Sequence, residues 1–115
     1  MTVNEKIIQA LEALKIPVTS DFFGGKQEEY ITFNYADDRA VFSADDGPEE
    51  DVAYMQIHYF LPAEKDYLEN KRKIRKALLK AGFTYPDATV LMELDNRTRH
   101  IIFECEIEND YEMED

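Results

Sequence analysis

Cysteine, tryptophan and long apolar runs are what this chain most clearly lacks. Its 115 residues include one cysteine and no tryptophan. A single thiol excludes an intramolecular disulfide framework. Because Cys105 lies within an apolar alternation, we expect a small buried hydrophobic side chain rather than a reactive thiol. With seven tyrosines and seven phenylalanines, the sequence predicts a core or an interface built on medium-sized rings.

No stretch of the sequence resembles a membrane or export segment. None of its apolar runs approaches the ~20 residues that a membrane-spanning helix needs. The first residues, Met1 to Glu5, lack the basic and apolar regions of a signal peptide. We therefore expect a protein that is made and kept in a cytoplasm, with no membrane partner.

Positive charge is scarce in the chain as a whole. The formal net charge is -12 and the isoelectric point is about 4.5. Nucleic acid and anionic membranes repel such a chain, which argues against general binding to either. A cationic partner, or mimicry of the charge of DNA, would fit the acidity.

The few cations are concentrated in one segment, which is the most distinctive pattern of the sequence. That segment contains Lys71, Arg72, Lys73, Arg75, Lys76 and Lys80. Only Glu69 and Lys73 form an acid–base pair at helical i,i+4 spacing, so the clustered like charges repel one another. Acids of another element or subunit would relieve that repulsion. The alternative, a solvated helix face whose cations suit the helix dipole, stays open.

Acids are grouped elsewhere, in two clusters. The first lies towards the middle of the chain: Asp37, Asp38, Asp45, Asp46, Glu49, Glu50 and Asp51. The second lies near the end: Glu104, Glu106, Glu108, Asp110, Glu112, Glu114 and Asp115. A chain with its two charge signs on separate elements can attract copies of itself head to tail.

The first half of the chain predicts one helix and then strands. Thr2 and Glu5 have the spacing of a capping box, and the apolar stripe that follows predicts a helix ending before Pro17. Short strands are expected over 16–23, 30–35 and 39–43. Asp45-Asp46-Gly47-Pro48 predicts a turn. A long strand over 52–61 follows, with bulky residues on both faces: one face for the helices, the other for another chain.

The second half predicts a helix and a hairpin. Asp66 and Glu69 mark the helix start, and Gly82 is expected as its left-handed end. The hairpin pairs 89–94 with 99–108. The order α-β-β-β-α-β-β predicts an α+β fold, a mainly antiparallel sheet of four to five strands with two helices on one face. We expect a single domain over 1–108 and a frayed acidic tail over 109–115.

The sequence contains no recognisable catalytic or metal-binding motif. His58 and His100 are the two histidines, each on a predicted strand and without a second histidine at ligand spacing. The segment 45–51 lacks the alternate-oxygen spacing of an EF-hand, and Gly24-Gly25-Lys26 is no phosphate loop. Nothing marks Ser20, Ser43 or Cys105 as a nucleophile. We expect a non-enzymatic protein with no cofactor or metal.

Several segments resemble those of small prophage proteins encoded among head–tail genes. They are Tyr30-Ile31-Thr32-Phe33-Asn34-Tyr35, Ala44-Asp45-Asp46, Tyr54-Met55-Gln56-Ile57-His58-Tyr59-Phe60 and Leu78-Leu79-Lys80-Ala81-Gly82-Phe83. The chain is similar, over nearly its whole length, to the tail terminator and tail-completion group of long-tailed phages. The resemblance implies an α+β subunit of a ring, often a hexamer, that ends tail-tube growth and meets the head connector. It also implies assembly in the host cytoplasm and a place in the virion.

These observations predict an interface between copies. A closed ring needs two different patches on each subunit. The expected charged patches are Lys71, Arg72, Lys73, Arg75 and Lys76 on one side, and Asp45, Asp46, Glu49 and Glu50 on the other. Tyr54, His58 and Phe60 are expected to supply the apolar share. Three alternatives stay open: a DNA-mimic inhibitor that uses Glu104, Glu106 and Glu108, a small-ligand or metal-binding enzyme subunit, and a protein-binding adaptor.

Overall fold

Two helices and five strands make up the chain. The computed structural model describes residues 1–43 and 47–109, with the side chains of 38–43, 47–51 and 109 outside that description. The elements are α1 (Val3–Leu11, followed by a 3-10 turn over Glu12–Leu14), β1 (Val18–Ser20), β2 (Tyr30–Ser43), β3 (Gly47–Pro62), α2 (Leu68–Lys80), β4 (Asp87–Glu93) and β5 (Thr98–Asn109). The predicted α+β class and the order α-β-β-β-α-β-β are confirmed.

The strands form one mixed sheet in the order β1-β2-β3-β5-β4. The neighbouring pairs β2–β3, β3–β5 and β4–β5 are antiparallel, whereas β1 runs parallel to β2. The β3–β5 pair is non-sequential, because α2 and β4 lie between them in the chain. This crossover brings two segments of distant sequence side by side at the centre of the sheet.

The division of 30–43 into two strands was wrong. A single strand, β2, runs from Tyr30 to Ser43, and its register against β3 shifts between Tyr35 and Asp37. A bulge of this kind adds one residue and changes the phase of the side-chain alternation. The sequence pattern therefore breaks at the bulge although the backbone pairing continues through it.

The turn predicted over 45–48 is also corrected in part. Gly47 and Pro48 already belong to β3, where they pair with Ser43 and Phe42, so β3 starts before the predicted Val52. Because β3 begins at Gly47, the acidic residues from Glu49 onwards lie within the strand. Pro48 is tolerated there because the register between β2 and β3 shifts at its partner, between Val41 and Phe42.

The helix ends follow the sequence signals. In α1 the Thr2 hydroxyl accepts from the Glu5 backbone N–H at 3.1 Å, and the Glu5 carboxylate accepts from the Thr2 N–H at 2.9 Å, which confirms the capping box. At the end of α2, Gly82 has a φ of +107°, a conformation that L side chains rarely adopt. Phe83 then donates its N–H to the carbonyl of Leu78 and is buried, as predicted.

Both helices cover the same face of the sheet, and the core lies between them. Alternate strand residues supply its lower layer: Ile31, Phe33, Ala53, Met55, Ile57, Tyr59, Leu61, Ile101, Phe103, Cys105 and Ile107. Val3, Ile7 and Leu11 of α1 and Ile74 and Leu78 of α2 close it from above. No helix in the described part of the chain is long and apolar enough to cross a membrane.

Candidate functional site

The other face of the sheet is not covered by any described element, and we call it the open face. It consists of the strand residues that alternate with the core positions. Cross-strand pairing orders it into rows: Tyr30, Phe60, His100 and Leu91; then Thr32, His58, Ile102 and Thr89; then Asn34, Gln56, Glu104 and Asp87. Tyr54, Glu106, Glu108 and Glu93 extend it. Most of these side chains are half-buried by their neighbours alone.

A row of stacked rings crosses the open face, and we call it the aromatic row. Phe23 stacks on Tyr30 with ring centroids 4.4 Å apart, Tyr30 on Phe60 at 4.8 Å, and Phe60 on His100 at 4.2 Å. The strand register sets this geometry, because directly opposite residues of antiparallel strands point to the same face. The row gives the open face a rigid, partly apolar centre.

His100, at the end of this row, contacts the second histidine, His58. Nδ1 of His58 lies 2.8 Å from Nε2 of His100, and Nε2 of His58 lies 3.0 Å from Oδ1 of Asn34. An amide oxygen only accepts, so Nε2 of His58 carries the proton. Nδ1 then accepts from Nε2–H of His100. The pair is satisfied when both rings are neutral.

The surroundings favour that neutral state. Burial lowers the pKa of His58, the adjacent His100 lowers it further, and the Glu104 carboxylate opposes both. Burial also lowers the pKa of His100. No local pattern in the sequence indicates this pair, because its members lie on strands that are not consecutive. Only the register between β3 and β5 brings them together.

On strands β3, β4 and β5 the charges of the open face are of one sign. Within the described positions 52–60, 87–93 and 100–108, the strands place five acids on it and no Lys or Arg. These acids are Asp87, Glu93, Glu104, Glu106 and Glu108. Glu104 and Glu106 also line a shallow concavity of about 290 Å³ that Tyr54, Tyr85 and Asp87 share. Carboxylates beside tyrosine rings form a surface suited to a cationic side chain.

The cationic segment lies on α2, on the opposite side of the sheet. Arg75 is engaged within the chain, because its Nε donates to the carbonyl of Pro86 at 2.9 Å and its guanidinium lies over the Tyr85 ring. Lys73 pairs with Glu69 at 3.1 Å, and the Lys71 ammonium lies 5.9 Å from the centre of the Tyr67 ring.

The remaining cations of α2 form an exposed line. Arg72, Lys76 and Lys80 are exposed to solvent and recur at every fourth position, on one side of the helix. We call them the cation line. They point away from the core positions Ile74 and Leu78.

The acidic interface residues expected from the sequence fall largely outside the description. Asp45 and Asp46 lie outside the described residues, and Glu49 and Glu50 are described only by their backbone, in β3. In contrast, Tyr54, His58 and Phe60 do share one face, the open face, as the alternation predicted. The interface role of all these residues stays a prediction.

Two buried groups outside the open face, the Tyr59 hydroxyl and the Cys105 thiol, belong to the folded core. The Tyr59 hydroxyl donates to Glu29 and accepts from Asn70 at 2.9 Å, and Lys65 pairs with Glu29 at 2.8 Å. Burial, with a smaller contribution from Glu29, raises the pKa of Tyr59. Burial raises the pKa of the Cys105 thiol to about 12, so the thiol stays protonated and unreactive. The prediction of a small buried hydrophobic residue there is confirmed.

Among residues 1–43 and 47–109, no group of three or more His, Cys, Asp and Glu side chains could hold a metal ion. The paired histidines bond to each other and to the Asn34 amide.

Comparison with known proteins gives a likeness of fold. No family model matches the chain, and no curated protein matches it. A solved chain from the virion of a native gene transfer agent particle superposes with a TM-score of 0.66 at 12% sequence identity, covering 94% of each chain. At this identity the likeness concerns the fold, and it extends over nearly the whole of both chains.

Proposed function

We propose that this chain is a structural subunit of a phage-like particle. The observation that carries the proposal is the likeness of fold, over 94% of both chains, to a component of a gene transfer agent virion. The arrangement of the chain supports it, since one side of its sheet is uncovered among the described residues and the other presents exposed cations. Such a role requires neither a cofactor nor a catalytic centre.

Within such a particle we assign the chain to the head–tail junction, as a tail terminator or tail-completion subunit. The sequence resemblance described above supports this assignment. The subunit would form a ring, for example a hexamer, that ends tail-tube growth and meets the head connector. It would assemble in the host cytoplasm and remain in the virion.

The proposed ring needs two different patches on each subunit. Lys71, Arg72, Lys73 and Lys76 are candidates for the cationic patch, with Arg75 contributing less because it is held by Pro86. Exposed ion pairs contribute about 0–1 kcal/mol each, so they would set the register of the contact. Tyr54, His58 and Phe60 of the open face would supply apolar contact area.

Electron microscopy of the purified protein mixed with tail tubes tests this function. The expected result is a ring at one end of each tube and an arrest of tube growth. The charge-reversed variant Arg72→Glu/Lys76→Glu serves as a control for the specificity of ring formation. Tubes that grow to the same length distribution with and without the protein would contradict the terminator assignment.

One observation favours a second function, inhibition of a DNA-binding protein by charge mimicry. Glu104, Glu106 and Glu108 stand on the same face of β5, at intervals of about 6.8 Å along the strand. The cation line on α2 opposes mimicry by the molecule as a whole. Stoichiometric binding to a restriction or repair enzyme, reversed by DNA, would favour this alternative over the ring.

A further inference from the structure

We infer that the open face is the docking surface for α2 of a second copy of this chain. The inference rests on the proposed self-assembly and identifies the contact that would produce it. The cation line, Arg72, Lys76 and Lys80, would lie along the carboxylates of β5 in the neighbouring copy. This assigns the acidic partner of α2 to β5 rather than to the segment 45–51.

The spacing of the two charged rows is the first support. Residues four apart on a helix rise about 6 Å, so the cation line spans about 12 Å. Alternate residues of a strand are about 6.8 Å apart, so Glu104, Glu106 and Glu108 span about 13–14 Å. Three cations can therefore face three carboxylates within the reach of their flexible side chains.

The position of the rows is the second support. The helices lie on one side of the sheet and the β5 carboxylates on the other, so the sheet prevents the two rows from meeting within one chain. Their attraction is satisfied only between copies. Because the two patches differ, each copy can bind two neighbours, which gives a ring or an open filament.

The shape and composition of the open face are the third support. The concavity beside Glu104 and Glu106, about 290 Å³ in volume, offers a basic side chain both carboxylates, whereas the Tyr85 ring in its lining is already engaged by Arg75. The aromatic row, farther along the same face, supplies apolar area, and Leu79, which is 50% exposed on α2, supplies apolar area from the helix. Apolar contact would give affinity while the charges select the register.

A charge-swap experiment tests the contact. The helix variant is Arg72→Glu/Lys76→Glu, and the sheet variant is Glu104→Lys/Glu106→Lys. Each alone sets like charges against like, so we expect self-association at low salt to weaken at least tenfold in sedimentation velocity. The sheet variant carries less net negative charge than the wild type, so a general loss of repulsion would instead strengthen its association.

Mixing the two variants is the decisive step. The reversed helix of one fits the reversed sheet of the other, and the remaining helix and sheet keep their original charges. We expect the equimolar mixture to regain wild-type association with alternating subunits, and this recovery also shows that both variants fold. A matched control, Glu12→Lys/Asp95→Lys, makes the same charge change at exposed positions outside the strands and should neither weaken association nor complement the helix variant.

The outcomes separate this contact from the proposed tail function. A sheet variant that associates like the wild type, a mixture that shows no recovery, or a wild type that does not self-associate would overturn the inference. If the mixture recovers but rings never bind tail tubes, the contact holds and the tail function fails. If wild-type rings form on tubes while the mixture shows no recovery, the tail function holds and this contact is wrong.

Discussion

The covered face and the open face of the sheet are made from alternate residues of the same strands, yet they differ in almost every respect. The covered face is apolar and closed by two helices, with Ile57 and Phe103 fully buried. On the open face, their strand neighbours include His58, Gln56 and Glu104, and the chain leaves them half-buried or exposed. The covered face thus accounts for folding, and the open face has a composition that folding alone does not require.

The contrast has a physical reason. A helix packed on a strand excludes water, so every side chain beneath it must be apolar or fully hydrogen-bonded. The side chains of the open face are neither all apolar nor all hydrogen-bonded. They combine stacked rings with carboxylates. Aromatic side chains of this kind are enriched in surfaces that bind other proteins.

The largest difference between the two faces is expected at two adjacent isoleucines of β5. Ile101 is fully buried on the covered face, whereas Ile102 is half-buried on the open face. We expect Ile101→Ala to lower the free energy of unfolding by about 2–5 kcal/mol, the range for a buried methyl-rich side chain. Ile102→Ala should lower it by about 1 kcal/mol, measured by urea unfolding.

The pair is its own control, because the loss of strand propensity is the same at both positions. The difference between the two variants therefore reports the burial on each face. Equal losses would mean that the open face is as important for folding as the covered face, which would contradict the distinction between the two faces.

The sequence was sufficient to predict the covered face and both helix ends. The alternation of side chains in β3 and β5 separates Ile57 and Phe103 from their polar neighbours. The capping box of Thr2 and Glu5 is complete within four residues. These features depend on residues that are near one another in the chain, so a local pattern contains them.

The features that the sequence did not reveal depend on non-local pairing. The contact between His58 and His100 needs the crossover that places β5 beside β3. The continuity of β2 needs a bulge, which conceals the strand by shifting its alternation at Asp37. The parallel pairing of β1 with β2 has no local signature at all, since Val18–Ser20 reads only as a short strand.

A polar group beneath the helices offers the next test of the comparison. Tyr59 is fully buried on the covered face, and its hydroxyl bonds Glu29 and Asn70. Tyr59→Phe removes the hydroxyl and leaves the Asn70 amide without this acceptor. We expect a loss of about 1–2 kcal/mol in the free energy of unfolding.

The matched variant for Tyr59→Phe is Tyr30→Phe on the open face. Its ring keeps both stacking contacts, so the expected change is within about 0.5 kcal/mol. A larger loss at Tyr30 than at Tyr59 would show that hydroxyl groups matter more on the open face than beneath the helices.

The aromatic row provides a smaller effect. Phe60→Leu keeps apolar bulk but removes the ring that stacks on Tyr30 and His100. We expect a loss of about 0.5–1.5 kcal/mol in thermal unfolding, the range for an aromatic pair beyond its buried area. Phe22→Leu, at a position that is 77% exposed, should change stability by less than about 0.5 kcal/mol. Equal effects would indicate that the stacking adds nothing.

The smallest expected effect is a pH dependence that belongs to the open face alone. The pKa values of His58 and His100 lie below the ordinary value of 6.5, chiefly because of burial. As pH falls through about 6.5, the unfolded chain takes up protons before the folded chain does, so the stability contributed by the neutral pair is present above that pH and is lost below it. Glu29, with burial outweighed by its bonds to Lys65 and Tyr59, has a lowered pKa and acts only below its ordinary value of 4.5.

The difference between the wild type and His58→Gln/His100→Gln isolates this contribution. The relief of acidic repulsion, which opposes it as pH falls, is common to both proteins and cancels in the difference. We expect the stability advantage of the wild type, measured by urea unfolding at several pH values, to shrink between about pH 7.5 and 5. A difference that is constant over this range would mean that the two rings are not held neutral by the open face. An advantage that grows towards acid would mean that Glu104 outweighs burial.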